Sequence, residues 1–517
     1  MTADTTRHAL ARRAAQCALA TAALAAGALH GARAADVDTM IAPAPERAWA
    51  VPDTASYAAT AAGRSAQARP GLDAPGPPAI DPARTYELAE LIDIAQRTNP
   101  DTRVAWERAR QAALNIGIAE SAYAPVLSAS VVAAAERLPA PMPKTVTPQG
   151  FIIFESQFIL PTLTVKWLLF DFGGKEAALD ATRAALAAAN FGFNATHQKI
   201  VLDVTRAYYS FSSAQGRVDV ARASLDLAQV LQDAAESRLT RGLATLPEAL
   251  QARAKTARAA YELQESIAAA NDARMALLGA MGVRPTTPLR VAALGERTLP
   301  SMVEDSVEKL LDRAFAQRPD LLAQVAQVRA READIRKAQA EFYPRIVVGG
   351  NVLQNIGRFQ VIETPGWAGV NKPGYGASIA IEMPLYDGGQ RRDKLAVARS
   401  QHRVAEEELD LARDRTARQV VKAYEDLKLA LRQREAAVEA LAAASQSYDA
   451  ALDSYRSGFT TFVEVTNAQT TLIQARTADT ETKNSVFASG ASLAFATGEL
   501  ASPEGAAAVG GAETLRQ

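Results

Sequence analysis

Two stretches of the chain alternate strictly between apolar and polar positions. In Thr162–Leu169 (TLTVKWLL), Leu163, Val165, Trp167 and Leu169 fall on one face, and Thr162, Thr164, Lys166 and Leu168 on the other. In Ser378–Leu385, Ile379, Ile381, Met383 and Leu385 share a face opposite Ser378, Ala380, Glu382 and Pro384. A period of two marks a strand with unlike faces. Each stretch has an upstream partner across a polar connection, Pro125–Ala135 and Pro344–Asn355, the latter with Ile346, Val348 and Val352 on one face. The expected strand length is about 9–11 residues, what a tilted membrane strand needs.

Around these strands the pattern is helical. Short helices are predicted over 86–98 and 101–123, ending before Pro125, as helices tend to do ahead of proline. Very long helices follow the strands, over 175–241 and 390–456. A glycine turn at Gly242 or Gly458 reverses the chain, and a helix of about 35 residues then closes each half near Gly282 or Gly498. At 1.5 Å per residue the long helix spans roughly 100 Å, and such a helix survives only by lying against others along its length.

The two halves are copies. A shift of 216 residues pairs Leu169 with Leu385, Asp171 with Asp387, Gly173 with Gly389, Tyr208 with Tyr424, Gly242 with Gly458, Glu248 with Glu464 and Gly282 with Gly498. Upstream, a shift of 219 pairs Leu91 with Leu310, Pro100 with Pro319 and Pro125 with Pro344. The three-residue difference is expected in a loop between Pro125 and Leu169. A period this long means two structural halves, not a solenoid.

Composition narrows the class. The 56 basic and 57 acidic residues cancel, so nothing points to nucleic acid. Arg7, Arg12 and Arg13, the apolar run at 14–29 and Ala32-Arg33-Ala34 make a secretory signal peptide over 1–34, which carries away Cys17, the single cysteine. Residues 35–85 are Ala- and Pro-rich without a period and read as a flexible segment; the tail 499–517 reads likewise. Between them lie a first repeat (86–282), a linker (283–302) and a second repeat (303–498). No other stretch approaches the roughly 20 apolar residues of a spanning helix, so an exported chain of this kind enters a membrane as a β-barrel. Four strands do not close a barrel; three chains would supply twelve. The expectation is a mainly α protein with a small membrane β part: a trimeric 12-stranded β-barrel continued by an α-helical periplasmic tunnel.

This duplicated order resembles the TolC-like outer-membrane efflux protein family over about residues 86–498. The resemblance rests also on Tyr123-Ala-Pro125 and Phe342-Tyr-Pro344 leading into the strands, and on the FDFGG and YDGGQR strand exits with Asp171, Gly173, Asp387 and Gly389. It implies a homotrimer in outer-membrane lipid, serving as the passive exit duct of a tripartite efflux pump or type I secretion system. Its implied partners are a periplasmic adaptor (membrane fusion protein) and an inner-membrane transporter. Adaptor-contacting tips are implied at Arg241-Gly242-Leu243 and Ser457-Gly458-Phe459, and a pore constriction at Tyr455, Thr460, Glu464 and Asn467. Thr460 stands where the family has Arg, and Asn467 where it has an acid. Glu248 and Glu464 also suit the first turn of a helix, where acids favour the dipole, and that reading is preferred for Glu248.

No catalytic constellation, cofactor motif or metal-ligand spacing stands out. Asp171-Phe-Gly is not a kinase motif, since its repeat partner lacks Phe and no glycine-rich phosphate loop precedes it. The four histidines, at 8, 30, 197 and 402, have no ligand spacing, and Asn194-Ala-Thr falls within a helix. The rival expectation is an exported periplasmic coiled-coil structural or adaptor protein without a barrel.

Overall fold

The computed structural model describes residues 80–292, 306–361 and 366–501. The signal peptide, most of the segment 35–85, residues 293–302 of the linker and the tail from 502 lie outside the described residues.

Each half begins with two short helices broken by proline. These are α1 (Leu88–Thr98) and α2 (Pro100–Ser121) in the first half. Proline opens α2 and forces Asn99 out of helical geometry, to φ −64 and ψ 127. The Asn99 side chain then caps α2 by accepting from the Asp101 N–H at 2.9 Å. The strands β2 (Val126–Pro141) and β3 (Phe151–Phe170) follow, then the hairpin α3 (Gly174–Thr240) and α4 (Leu246–Ala280). The second half repeats this as α5 (Val307–Gln317), α6 (Pro319–Ala340), β5 (Arg345–Val361), β6 (Ala368–Glu382), α7 (Gln390–Arg456) and α8 (Phe462–Thr497). The long helices α3 and α7 have 67 residues each, within one residue of their expected bounds.

A small ladder was not legible beforehand. Within the expected linker, β4 (Arg290–Val291) pairs in parallel with β1 (Thr85–Tyr86). Tyr86 and Leu289 enter a core with Leu88, Leu91, Tyr208, Tyr209 and Leu277, so the linker is fastened to the first hairpin. A second core, with Leu231, Ala252, Tyr448, Tyr455, Phe462 and Val465, joins the two hairpins near their tips.

The four long strands form one antiparallel sheet in the order β2-β3-β5-β6. The halves therefore meet at β3 and β5, and β2 and β6 are its edges. The strands have 16, 20, 17 and 15 residues, longer than the 9–11 expected. The extra length lies toward the β2–β3 and β5–β6 connections, where hydrogen-bonded polar side chains interrupt apolar residues such as Phe154 and Ile159. Those connections have nine (142–150) and six (362–367) residues, a difference of three on the segment where the repeat shift changes.

Register fixes the faces. Leu163 lies opposite Ala129 and Val352, Val165 opposite Leu127 and Gly350, and Trp167 opposite Val348. Val348 and Val352 in turn face Ile379 and Tyr375. The other face carries Ser128 with Thr164, Thr164 with Asn351, and Gly349 with Ser378. Almost every strand position is exposed or half-buried, and no helix among the described residues lies on the apolar face: Ile379 and Ile381 are 74% and 72% exposed. The alternation ends at a bulge between Leu168 and Phe170, where the chain turns out of the sheet.

Gly282 ends the first hairpin at φ +70, and a Cβ there would sit 2.7 Å from the Asn99 Cα. Gly282→Ala is expected to lower stability by about 1–3 kcal/mol, read from the urea midpoint. Gly117→Ala, in open space inside α2, is expected to be neutral or to stabilise by about 0.5–1 kcal/mol.

Candidate functional site

Each long helix starts from an Asp-Gly corner at a strand exit. The Asp171 carboxylate accepts from the Lys175 N–H at 2.8 Å, and Asp387 accepts from the N–H groups of Gly389 and Arg391, both at 3.1 Å. Gly173 and Gly389 occupy the left-handed region at φ 89 and 93. The Arg391 side chain, at 2.7 Å, holds the Asp387 carboxyl below the usual carboxylate range. Lys175 reaches back to the Leu168 carbonyl at 2.7 Å. The corners thus tie strand ends to helix starts.

At the opposite ends the hairpins turn. Gly242 (φ 73) and Gly458 (φ 83) sit just past α3 and α7, where an L side chain would be strained. The Leu243 N–H donates to the Arg238 carbonyl at 2.8 Å, and the Phe459 N–H to the Ser454 carbonyl at 2.8 Å, closing both helices in the same way. Leu243 is 65% and Phe459 88% exposed; Arg241 and Ser457 are exposed beside them.

Between the tips, the two hairpins are joined by Tyr455. Its ring is buried and its hydroxyl donates to Glu248 Oε1 at 2.6 Å. Arg238 lies over the ring, 4.7 Å from its centroid, and donates through Nη1 to the Tyr455 carbonyl at 2.7 Å. Burial, with the Glu248 carboxylate, pushes the Tyr455 hydroxyl far above its usual range, so it stays protonated and able to donate at any physiological pH. Glu248 is in the first turn of α4, as the dipole reading requires, but it is also the acceptor of this bond. Helix-start preference alone therefore understates it. The sequence held one signal for this: Glu248 and Glu464 are repeat partners, and the acid facing a tyrosine across the hairpins was the one passed over. Arg238 was not anticipated, because its repeat partner is Ser454.

The remaining expected constriction residues lie apart from that bond. Thr461 caps α8, and Thr460 Oγ1 donates to Glu464 Oε2 at 2.6 Å. Glu464 and Asn467 are exposed one turn apart on the face of α8 turned away from Phe462 and Val465. Thr460 engages Glu464 on its own helix and not the first hairpin. No group of three or more metal-ligating side chains occurs among the described residues, and none of their helices is long and apolar enough to cross a membrane.

The profile of a family described as "Outer membrane efflux protein" matches residues 91–283 and 310–499, most of the chain. The chain belongs to the outer membrane efflux protein family. It is 28% identical over 415 residues to Protein CyaE of Bordetella pertussis, across 79% of this chain and 83% of that one. It is 24% identical over 398 residues to the pyoverdine export outer membrane protein OpmQ of Pseudomonas putida, across 75% and 81%. Among solved structures, the outer-membrane channel OprN superposes with a TM-score of 0.66 at 21% identity, over 84% of this chain and 96% of that one. This is the fold of the TolC-like channels, mostly helical with a sheet part, and the protein is an outer-membrane exit duct. The reading as a coiled-coil protein without a barrel is set aside by this match.

Removing the Tyr455 hydroxyl leaves Glu248 without its donor. Tyr455→Phe is expected to weaken the hairpin contact by about 1.5–3 kcal/mol, the range for a hydrogen bond to a charged group. In planar bilayers the open-to-closed ratio would then rise by roughly tenfold to hundredfold for each such contact, with Tyr455→Phe and Glu248→Gln shifting it in the same direction.

Proposed function

We propose that three copies of the chain share one 12-stranded barrel, with the hairpins continuing it as a tunnel into the periplasm. The observation that carries this reading is the sheet: among the described residues it has two unpaired edges, no layer on its apolar face, and one apolar and one polar side over the same rows. A carrier for apolar substrates or a soluble binding sheet would cover that face. Roughly half the N–H and C=O groups of each edge strand point outward, and in hydrocarbon each costs several kcal/mol unless paired. Pairing β6 of one copy with β2 of the next satisfies both edges at once. The apolar face with Leu163, Val165 and Ile379 then meets lipid, and the polar face with Thr164, Lys166 and Asn351 lines the lumen.

The duct does no covalent chemistry. Leu243 and Phe459, exposed at the hairpin tips, supply an apolar surface for a periplasmic adaptor, and an inner-membrane transporter supplies substrate and energy. Tyr455, held by Glu248 and Arg238, latches the closed tunnel, and an adaptor opens it by spreading the hairpins. Glu464 and Asn467, brought around the axis by threefold symmetry, form the narrow ring of the closed tunnel, where Glu464 favours cations. Efflux of small molecules and type I secretion both fit this design, and the relatives this chain resembles are named for more than one cargo, pyoverdine export for OpmQ and cobalt-zinc-cadmium resistance for CzcC of Cupriavidus metallidurans.

Light scattering, corrected for detergent, on the protein extracted from outer membranes is expected to give the mass of three chains. A water-soluble monomer or dimer would overturn the shared barrel. Glu464→Ala is expected to lower the cation preference in reversal-potential measurements, whereas an unchanged preference would leave Glu464 a helix-start acid only.

A further inference from the structure

Above the apolar band, on the same side of the sheet, the side chains change character in two adjacent rows. In one row Gln157 lies opposite Arg358, and in the next Arg137 and Gln360 flank Glu155. All share the face of Leu163 and Val352 by strand parity, so in the proposed barrel they point outward and not into the lumen. Trp367, immediately before β6, stands beside them with Arg358 4.7 Å from its ring centroid.

The hydrogen bonds leave this cluster cationic. Arg137 pairs with Glu155 at 3.4 Å, and Gln360 Nε2 donates to the same carboxylate at 2.8 Å. Arg358 donates Nε and Nη2 to Gln157 Oε1, at 3.0 and 2.8 Å, and no carboxylate pairs with it among the described residues. A guanidinium has five N–H donors, and among the described residues Arg358 uses two of them, on Gln157, while its plane is fixed by the amide and the indole. The height fits as well. Arg358 is ten residues beyond Val348, which lies opposite Trp167. At about 3.3 Å per residue and a tilt near 40°, that is roughly 25 Å, the thickness of the lipid-facing band. Trp167 thus marks one interface and Trp367 with Arg358 the other, on the side away from the helices.

We propose that Arg358 and Arg137, with Trp367, form a seat for the phosphate of a phosphorylated glycolipid of the outer leaflet. Guanidinium groups match phosphate oxygens in pairs, and the indole packs on the sugar or upper acyl region. The seat is continuous with the acyl-facing band, so one lipid molecule occupies both. This inference rests on the barrel reading above.

The test uses the full chain, extracted from outer membranes in mild detergent and examined by native mass spectrometry. The probes are bis-phosphorylated lipid A, the same lipid A stripped of its phosphates, and phosphatidylglycerol. Phosphorylated lipid A is expected to be retained, with the stripped lipid and phosphatidylglycerol each weaker by about fivefold or more. The double substitution Arg137→Gln with Arg358→Gln is expected to weaken lipid A retention by a similar factor, about fivefold. Arg345→Gln, at the periplasmic end, is expected to leave it unchanged. Equal retention of stripped and phosphorylated lipid A, or of phosphatidylglycerol, or undiminished retention by the double variant, would overturn the seat. The wild-type comparison decides the matter alone should the double variant not assemble. The same spectra report the assembly: a trimer with indifferent lipid binding sinks only this inference, whereas no trimer sinks the barrel reading beneath it.

Discussion

A β-strand edge presents a row of N–H and C=O groups that water satisfies and hydrocarbon does not. In this chain that row occurs twice, on β2 and on β6, and each edge strand comes from a different half. The two halves spend their inner edges on each other, at β3 and β5, and leave their outer edges for neighbours. Such a contact joins unlike surfaces, head to tail. It closes into a ring only if the rotation between copies is right, and otherwise grows without end. The sheet curvature and the packing of the hairpins below it must therefore agree on one angle. In the proposed trimer the tunnel and the barrel are two readouts of that angle.

Much of the architecture was legible because duplication multiplies weak signals. One alternating stretch such as Thr162–Leu169 is an ordinary strand, but the same stretch repeated at Ser378–Leu385, beside 67-residue helices, is not an ordinary sheet. Helix bounds were readable because glycine and proline punctuate them in both copies. Strand length was misjudged because the apolar band covers only part of each strand. Beyond it, the run Phe151–Phe154 is apolar on both faces and Glu155 and Gln157, bonded to Gln360 and Arg358, interrupt it, so no period of two survives. The ladder of β1 and β4 escaped for a simpler reason: two residues carry no periodicity at all.

The candidate site was harder to read because the copies diverge there. Equivalent helix breaks are held by different chemistry. Asn99 donates to the Ala280 carbonyl in the first half, whereas the buried Arg318 pairs with Asp320 and reaches Gln419 in the second. Glu248 and Glu464 keep the same helix-start position but face different surroundings, one taking the tyrosine hydroxyl and the other a threonine on its own helix. Repeat symmetry predicts equivalence, and function lies in the departures from it. Arg238 is the clearest instance: it holds the Tyr455 carbonyl, whereas its repeat partner is Ser454.

The contact between Tyr455 and Glu248 lies wholly inside one chain. In the proposed trimer three such contacts would act as independent bolts, none of them shared across a subunit boundary. Drawing one does not by itself draw the next; any concertedness must come from the packing between neighbours or from the partner at the tips. Under the proposed gating the pore would have intermediate apertures available to it, one or two bolts drawn, and these would appear as graded steps of current and not as a single switch.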